Sequence, residues 1–241
     1  MLCWMIILIF GLGYAYLFTF ISDKLYFLPL YLIGGFLISL ILFAIFILIV
    51  IWTAPFTKQN NKLKHKIIYP LVKFVHTILK IKIEVIGREN IPNDTFVVYS
   101  NHKSMLDVTI LYQAYHKILS AIAKNDLVNV PFLSRLMKGL GVVPLDRNND
   151  REGARNILEA IKRVKAGNNY LIFPEGGVKS RETEHMVALR AGAYKLATKP
   201  KAVISPVSII GSSLLSQNCP KKGTKITVVI HKPITPEEYQ G

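Results

Sequence analysis

The chain has 241 residues, 51% of them apolar, a mean hydropathy of +0.34 and a formal net charge of +15. Its two cysteines, Cys3 and Cys219, are far apart and lack C-x-x-C spacing, and its six histidines include no H-E-x-x-H, so neither a disulfide framework nor a metal site has support. The basic surplus leaves three readings: nucleic acid, an anionic membrane or an anionic substrate.

The apolar excess sits at the amino end. Residues 1–22 and 25–52 carry no charged side chain, and only Asp23-Lys24 separates them. A bilayer core needs about 20 apolar helical residues, so each run is long enough to span. With no basic leader and no small-residue cleavage pattern before Asp23, a membrane hairpin is favoured over a removable signal peptide. A hairpin that only dips into one leaflet stays open, because Gly11, Gly13, Gly34 and Gly35 permit bends. Lys58, Lys62, Lys64, Lys66, Lys73, Lys80 and Lys82 follow the second run, which by the positive-inside rule predicts a cytoplasmic face for the remainder at a cell membrane.

Residues 62–80 space apolar side chains at helical period between lysines. The stretch reads either as a basic amphipathic helix on anionic membrane lipid or as a helix packed on the domain, with Pro70 starting or kinking it. "IKIEVIG" (81–87) alternates with period two and predicts a strand, and "TFVVYS" predicts a buried one. A helix over about 104–115, a strand at 118–124, a short helix from Pro131 and a strand at "GVVPL" come next. Asp150 to about Ala166 predicts an amphipathic helix stopped by Gly167, followed by strand and turn in "NYLIFPEGG". "MVALRAGAYKLAT" reads as helix, and "AVISPVSII" and "TKITVVIHK" as closing strands. Alternation of strands and helices predicts an α/β fold, a single domain with a largely parallel central sheet flanked by helices. The expected organisation is a membrane hairpin over 1–52, a basic interfacial helix or linker over 53–80 and an α/β domain over 81–241.

Ligands gather at the carboxyl ends of parallel strands, and polar candidates follow four predicted strands: His102, Lys124, Arg147 and Glu175. In "SNHKSMLD", His102 and Asp107 are five apart. On a continuous helix they would point roughly 140° apart, so they meet only if the chain enters a helix between them. An imidazole takes a proton near neutral pH, and a carboxylate on its other nitrogen fixes the tautomer. Ser104 reads as a helix cap, not a nucleophile. Arg147 offers a planar fork for an oxyanion and Lys124 a mobile charge. Glu175 is assigned to acceptor binding, and Gly176 and Gly177 to close backbone approach.

"NHKSMLD", "GVVPLDR", "FPEGG" and "VISPVSI" together resemble the four motifs of the glycerolipid acyltransferase family, and in particular the bacterial 1-acylglycerol-3-phosphate acyltransferases of the PlsC type. The likeness spans roughly residues 81–231. It implies catalysis by His102 and Asp107, and substrate binding by Lys124, Arg147, Glu175, Gly176 and Gly177. It also implies an acyl group passed from acyl carrier protein or a coenzyme A thioester to the sn-2 hydroxyl of lysophosphatidic acid, with no cofactor, no metal and no nucleic acid. Glycerol 3-phosphate or another lysolipid is the alternative acceptor, and a non-catalytic lipid-binding module the distant rival. Two departures stand out. Gly177-Val178-Lys179-Ser180-Arg181 replaces the usual Thr-Arg continuation, and Arg190 stands where Lys is common.

Overall fold

A computed structural model describes residues 2–22, 25–145, 150–187 and 189–240. Helices α1 (Leu2–Ser22) and α2 (Leu28–Thr53) are the two apolar runs. The segment Leu28–Phe56 is long and apolar enough to cross a membrane, while the apolar part of α1, Met5–Ile21, is shorter. The Asp23-Lys24 connection lies outside the described residues. Two of the glycines serve contact: a Cβ on Gly35 would lie 2.5 Å from the Gly11 carbonyl oxygen, so the helices touch backbone to backbone there.

Helix α3 (Lys62–Ile78) starts where Asn61 accepts the amides of Leu63 and Lys64 at 2.8 and 3.3 Å, and it runs through Pro70 without ending. It packs on the domain through buried Ile68 and His76, while Leu63, Val75 and Ile78 stay exposed. Buried Lys64 donates to the carbonyls of Thr57 and Gly139, tying the helix to α5 (Leu133–Gly139), and burial pushes its pKa down.

The sheet contains β1 (Ile81–Ile86), β2 (Phe96–Ser100), β3 (Ser120–Lys124), β4 (Val143–Leu145), β5 (Tyr170–Ile172), β6 (Val203–Ile210) and β7 (Thr224–Ile230). Their order is β1-β7-β6-β2-β5-β3-β4, parallel throughout except for the antiparallel β6–β7 pair. Strand β2 lies at the centre, buried on both sides. Phe96 and Val98 join one apolar cluster with Ile110 and Leu111 of α4 (Asp107–Tyr115). Val97 and Tyr99 join the other, with α6 (Asp150–Lys165) and α7 (Ala191–Thr198). Burial on both faces explains why "FVVY" is continuously apolar and does not alternate.

Three expected helices begin later than the sequence suggests, α5 at Leu133 and not Pro131 among them. α4 starts at Asp107, not 104, because the preceding residues form the turn that brings His102 onto it. α7 starts at Ala191, not 186, because the backbone upstream is bonded elsewhere: the Arg190 amide donates to Pro174 O, and the Val187 amide to Glu175. Short helices α8 (Leu215–Asn218) and α9 (Pro236–Gln240) carried no sequence expectation.

Candidate active site

The carboxyl ends of β2, β3, β4 and β5 lie along one edge because those strands are mutually parallel. The chain leaves β2 through Asn101, whose side chain donates to Ile209 O at 2.8 Å and accepts the Ile209 amide at 2.8 Å. That double bond to β6 fixes the start of the corner. Asp107, the first residue of α4, is wholly buried and turns its carboxylate back into it.

One oxygen, Asp107 Oδ2, accepts His102 Nδ1 at 3.0 Å and the amides of Lys103 and Ser104 at 2.7 and 2.9 Å. The carboxylate thus ties the turn ahead of α4 together, and Ser104 does not cap the helix as expected: its hydroxyl accepts the Leu106 amide within the turn. A carboxylate can only accept, so His102 carries its proton on Nδ1 and keeps a lone pair on Nε2. The ring lies flat against Phe173, 3.9 Å between centroids and 10° between planes, and retains 17% side-chain exposure. It is thus held on one face, bonded at one edge and open at the other. Asp107 Oδ1 is buried with no partner among the described residues.

His102 opens onto a cavity of about 940 Å³. The walls are α6 on one side, with Gly153, Ile157 and Ile161, α7 on the other, and Ile122 and Ile172 of the sheet as floor. It extends along α6 to Lys165, with Lys195 and Lys199 of the α7 region beside it. From Gly153 to Lys165 a helix rises roughly 18 Å.

The other candidates separate. Lys124 lines this cavity at the end of β3, is 56% exposed and pairs with Asp126. Gly176 and Gly177 line it at the turn after β5, with φ of 75° and 149°; a Cβ on Gly176 would meet the Arg190 guanidinium at 2.8 Å. Arg147 lies outside the described residues. Glu175, assigned to acceptor binding, is 0% exposed and faces inward. One of its oxygens accepts the His102 amide at 3.0 Å, and the other accepts the Val187 amide at 3.2 Å and lies 3.6 Å from Lys103 Nζ. A carboxylate with those partners braces the corner and has no oxygen facing a ligand. Lys103, Phe173 and Arg190 were not marked as site residues by sequence reasoning. For Phe173 and Arg190 the signal was their place in or beside the strand-end motifs; for Lys103 only its position next to His102.

Comparison with known proteins follows the same residues. A sequence family described as Acyltransferase matches residues 82–210. A Mycoplasma pneumoniae protein named a probable 1-acyl-sn-glycerol-3-phosphate acyltransferase is 30% identical over 193 residues, 74% of this chain and 71% of that one. The Saccharomyces cerevisiae 1-acyl-sn-glycerol-3-phosphate acyltransferase is 31% identical over 66% of this chain, and the chloroplastic one of Arabidopsis thaliana 31% over 67%. The chain spans about half the length of those two, 54% and 49%. The crystal structure of the 1-acyl-sn-glycerophosphate acyltransferase PlsC from Thermotoga maritima superposes with a TM-score of 0.64 at 25% identity, covering 83% of this chain and 80% of that one. With this family match, these relatives and this structural likeness, the chain belongs to the acyltransferase family, among the 1-acyl-sn-glycerol-3-phosphate acyltransferases.

Proposed function

We propose that the chain transfers a fatty acyl group from a thioester to the sn-2 hydroxyl of 1-acylglycerol 3-phosphate, producing phosphatidate. The observation that carries this is the His102–Asp107 pair, 3.0 Å apart, with the imidazole edge opening onto the apolar cavity. His102 Nε2 accepts the hydroxyl proton as the oxygen forms a bond to the thioester carbonyl carbon. The carbon–sulfur bond then breaks, and the imidazolium returns the proton to the leaving thiolate. Asp107 holds the Nδ1–H tautomer and balances the charge of the imidazolium. Atoms and electrons balance without a cofactor.

The remaining roles follow from placement. The groove between α6 and α7 suits the acyl chain, being apolar and about 18 Å long. Lys124, Arg147 and Arg190 are the cations suited to the acceptor phosphate, the first and last because they line the cavity. Acyl carrier protein or coenzyme A carries the donor. Residues 1–52 act as the membrane anchor, 53–80 as a basic interfacial linker and 81–241 as the catalytic unit, facing the cytoplasm at anionic lipid. Anchoring matters to the reaction because the amphiphilic acceptor is concentrated in the bilayer.

Purified protein supplied with labelled lysophosphatidate and either thioester donor should form phosphatidate, and His102→Ala should cut turnover by about 10²-fold or more while the fold survives. Product from glycerol 3-phosphate but not from lysophosphatidate would move the acceptor assignment. Product from the Ala variant at the parent rate would end the base assignment.

A further inference from the structure

Lys103 is the residue the acyl-transfer chemistry leaves unused, and its setting is unusual. It directly follows His102, yet its ammonium is turned away from solvent and is 0% exposed. A buried lysine is costly unless it is paired and hydrogen-bonded. Here Nζ donates to His185 O at 2.7 Å and lies 3.6 Å from Glu175 Oε2, a carboxylate equally buried. The opposite oxygen of Glu175 takes the His102 amide at 3.0 Å. One short path thus runs from the Lys103 ammonium through Glu175 to the backbone of the histidine.

The same cation holds the segment that covers the corner. Residues 178–187 form no regular element, and four bonds fasten them to the corner around His102. Asn101 donates to Glu184 O at 3.0 Å, Lys103 to His185 O, Arg181 Nε to Lys103 O at 3.2 Å, and the Val187 amide to Glu175 at 3.2 Å. Two of the four involve the Lys103–Glu175 pair through its charged groups. The charged and titratable groups around His102 are therefore Asp107 from α4, Glu175 from the turn after β5, and Lys103 from the corner itself. The covering segment adds Arg181, His185 and Glu184, the last with its carboxylate turned away to Gly211 and Ser213, and Arg190 stands behind Gly176. Without the Lys103 cation, two buried carboxylates would face the imidazole region with no buried ammonium between them.

We infer that Lys103 is a positioning residue for the acyl transfer: its buried ammonium neutralises Glu175, so that this carboxylate orients His102 and ties down the 178–187 segment without raising the proton affinity of the imidazole. This rests on the reading of His102 as the base. A base must be unprotonated to act, so activity falls on the acid side as the imidazole charges. Lys103→Met removes the buried cation beside Glu175, which favours the imidazolium and moves the acid limb to higher pH. Glu175→Gln leaves the ammonium unneutralised and moves the limb the other way. Joining the two substitutions removes both charges and returns the limb toward the parent position, a coupling that a loss of packing does not produce.

The experiment is the pH profile of kcat and kcat/KM for the full chain in phospholipid vesicles, for the parent, Lys103→Met, Glu175→Gln and the double variant, with folding followed by circular dichroism. The expected result is an acid limb displaced upward by roughly half a pH unit or more in the Met variant, downward in the Gln variant, and restored in the double variant. If the Met variant does not fold, the downward shift of Glu175→Gln decides alone. A folded variant whose limb stays at the parent position, or shifts of the same sign in both single variants, would overturn the inference. Failure of the underlying reading is separately visible, since the parent itself would then show no His102-dependent acid limb.

Discussion

Helix α4 holds two histidines, His102 at 17% side-chain exposure and His76 buried, and the contrast between them explains what suits the first to the proposed role of base. At the start of α4, His102 gives Nδ1–H to a carboxylate and leaves Nε2 at the cavity. Within the same first turn, and about one turn beyond it, Thr109 and Gln113 hold His76 of α3, at 2.9 Å from Nε2 and 2.6 Å from Nδ1. His76 is 2% exposed and both its ring nitrogens are occupied by neutral partners, so it has no site at which to receive a substrate proton. Hydrogen bonding is common to both positions. What separates them is one anionic partner in place of two neutral ones, and one nitrogen left free.

The sharpest way to break that contrast is to give the corner the chemistry of the seam. Asp107→Asn keeps the shape and an acceptor for the Lys103 and Ser104 amides, but presents His102 with an amide, as Gln113 does for His76. Loss of the anion and of the fixed tautomer should lower kcat by about 10²–10⁴-fold, with the acceptor KM little changed. Steady-state kinetics on folded variant checks this, and a kcat within a few-fold of the parent would show that the anion is dispensable.

The converse substitution is His76→Ala. It removes no group from the cavity but takes the ring partner from Gln113 inside the α3–α4 contact, while Thr109 keeps its bond to Leu106 O, so stability should fall by about 1–3 kcal/mol and kcat stay within a few-fold. Urea unfolding beside the acyl-transfer assay separates the two effects. A collapse of kcat in a folded His76→Ala would mean that the seam reaches the chemistry through α4.

A smaller effect sharpens the seam itself. Burial holds His76 below its ordinary value of 6.5, with the Gln113 bond opposing, and burial together with the neighbouring His116 does the same for His65. The unfolded chain takes up protons on these rings below 6.5 while the folded seam resists them. Their contribution is therefore intact above that pH and is lost as pH falls from there to the lowered folded values. The slope should reach at most about 1.4 kcal/mol per pH unit for each histidine, and His76→Gln should remove its share. Unfolding midpoints at about pH 7.5 and about pH 5.5 measure it.

Legibility in the sequence followed the range of the interactions. Strand β1 was readable because alternation in "IKIEVI" reports one wet and one dry face, and α6 because its apolar stripe repeats at helical spacing. The meeting of His102 with Asp107 was readable because five residues through a strand-to-helix turn leave few other arrangements. Residues 186–190 were misread as helix because their small and apolar side chains have helical propensity. The amides of Val187 and Arg190 are claimed instead by Glu175 and Pro174, partners 12 and 16 positions away. The inward aim of Glu175 was hidden for the same reason: a carboxylate beside two glycines looks exposed until the lysine that buries it is known.

The sequence by itself determined the apolar hairpin, the α/β alternation and the pairing of an imidazole with a carboxylate, because each arises from patterns a few residues long. Only the tertiary structure decided that β1 and β7 run against the other strands, that Gly11 meets Gly35, and that Lys103 and Glu175 neutralise each other beneath the histidine. Those are contacts between distant segments, set by which surfaces the whole chain can bury at once, and no local pattern encodes them.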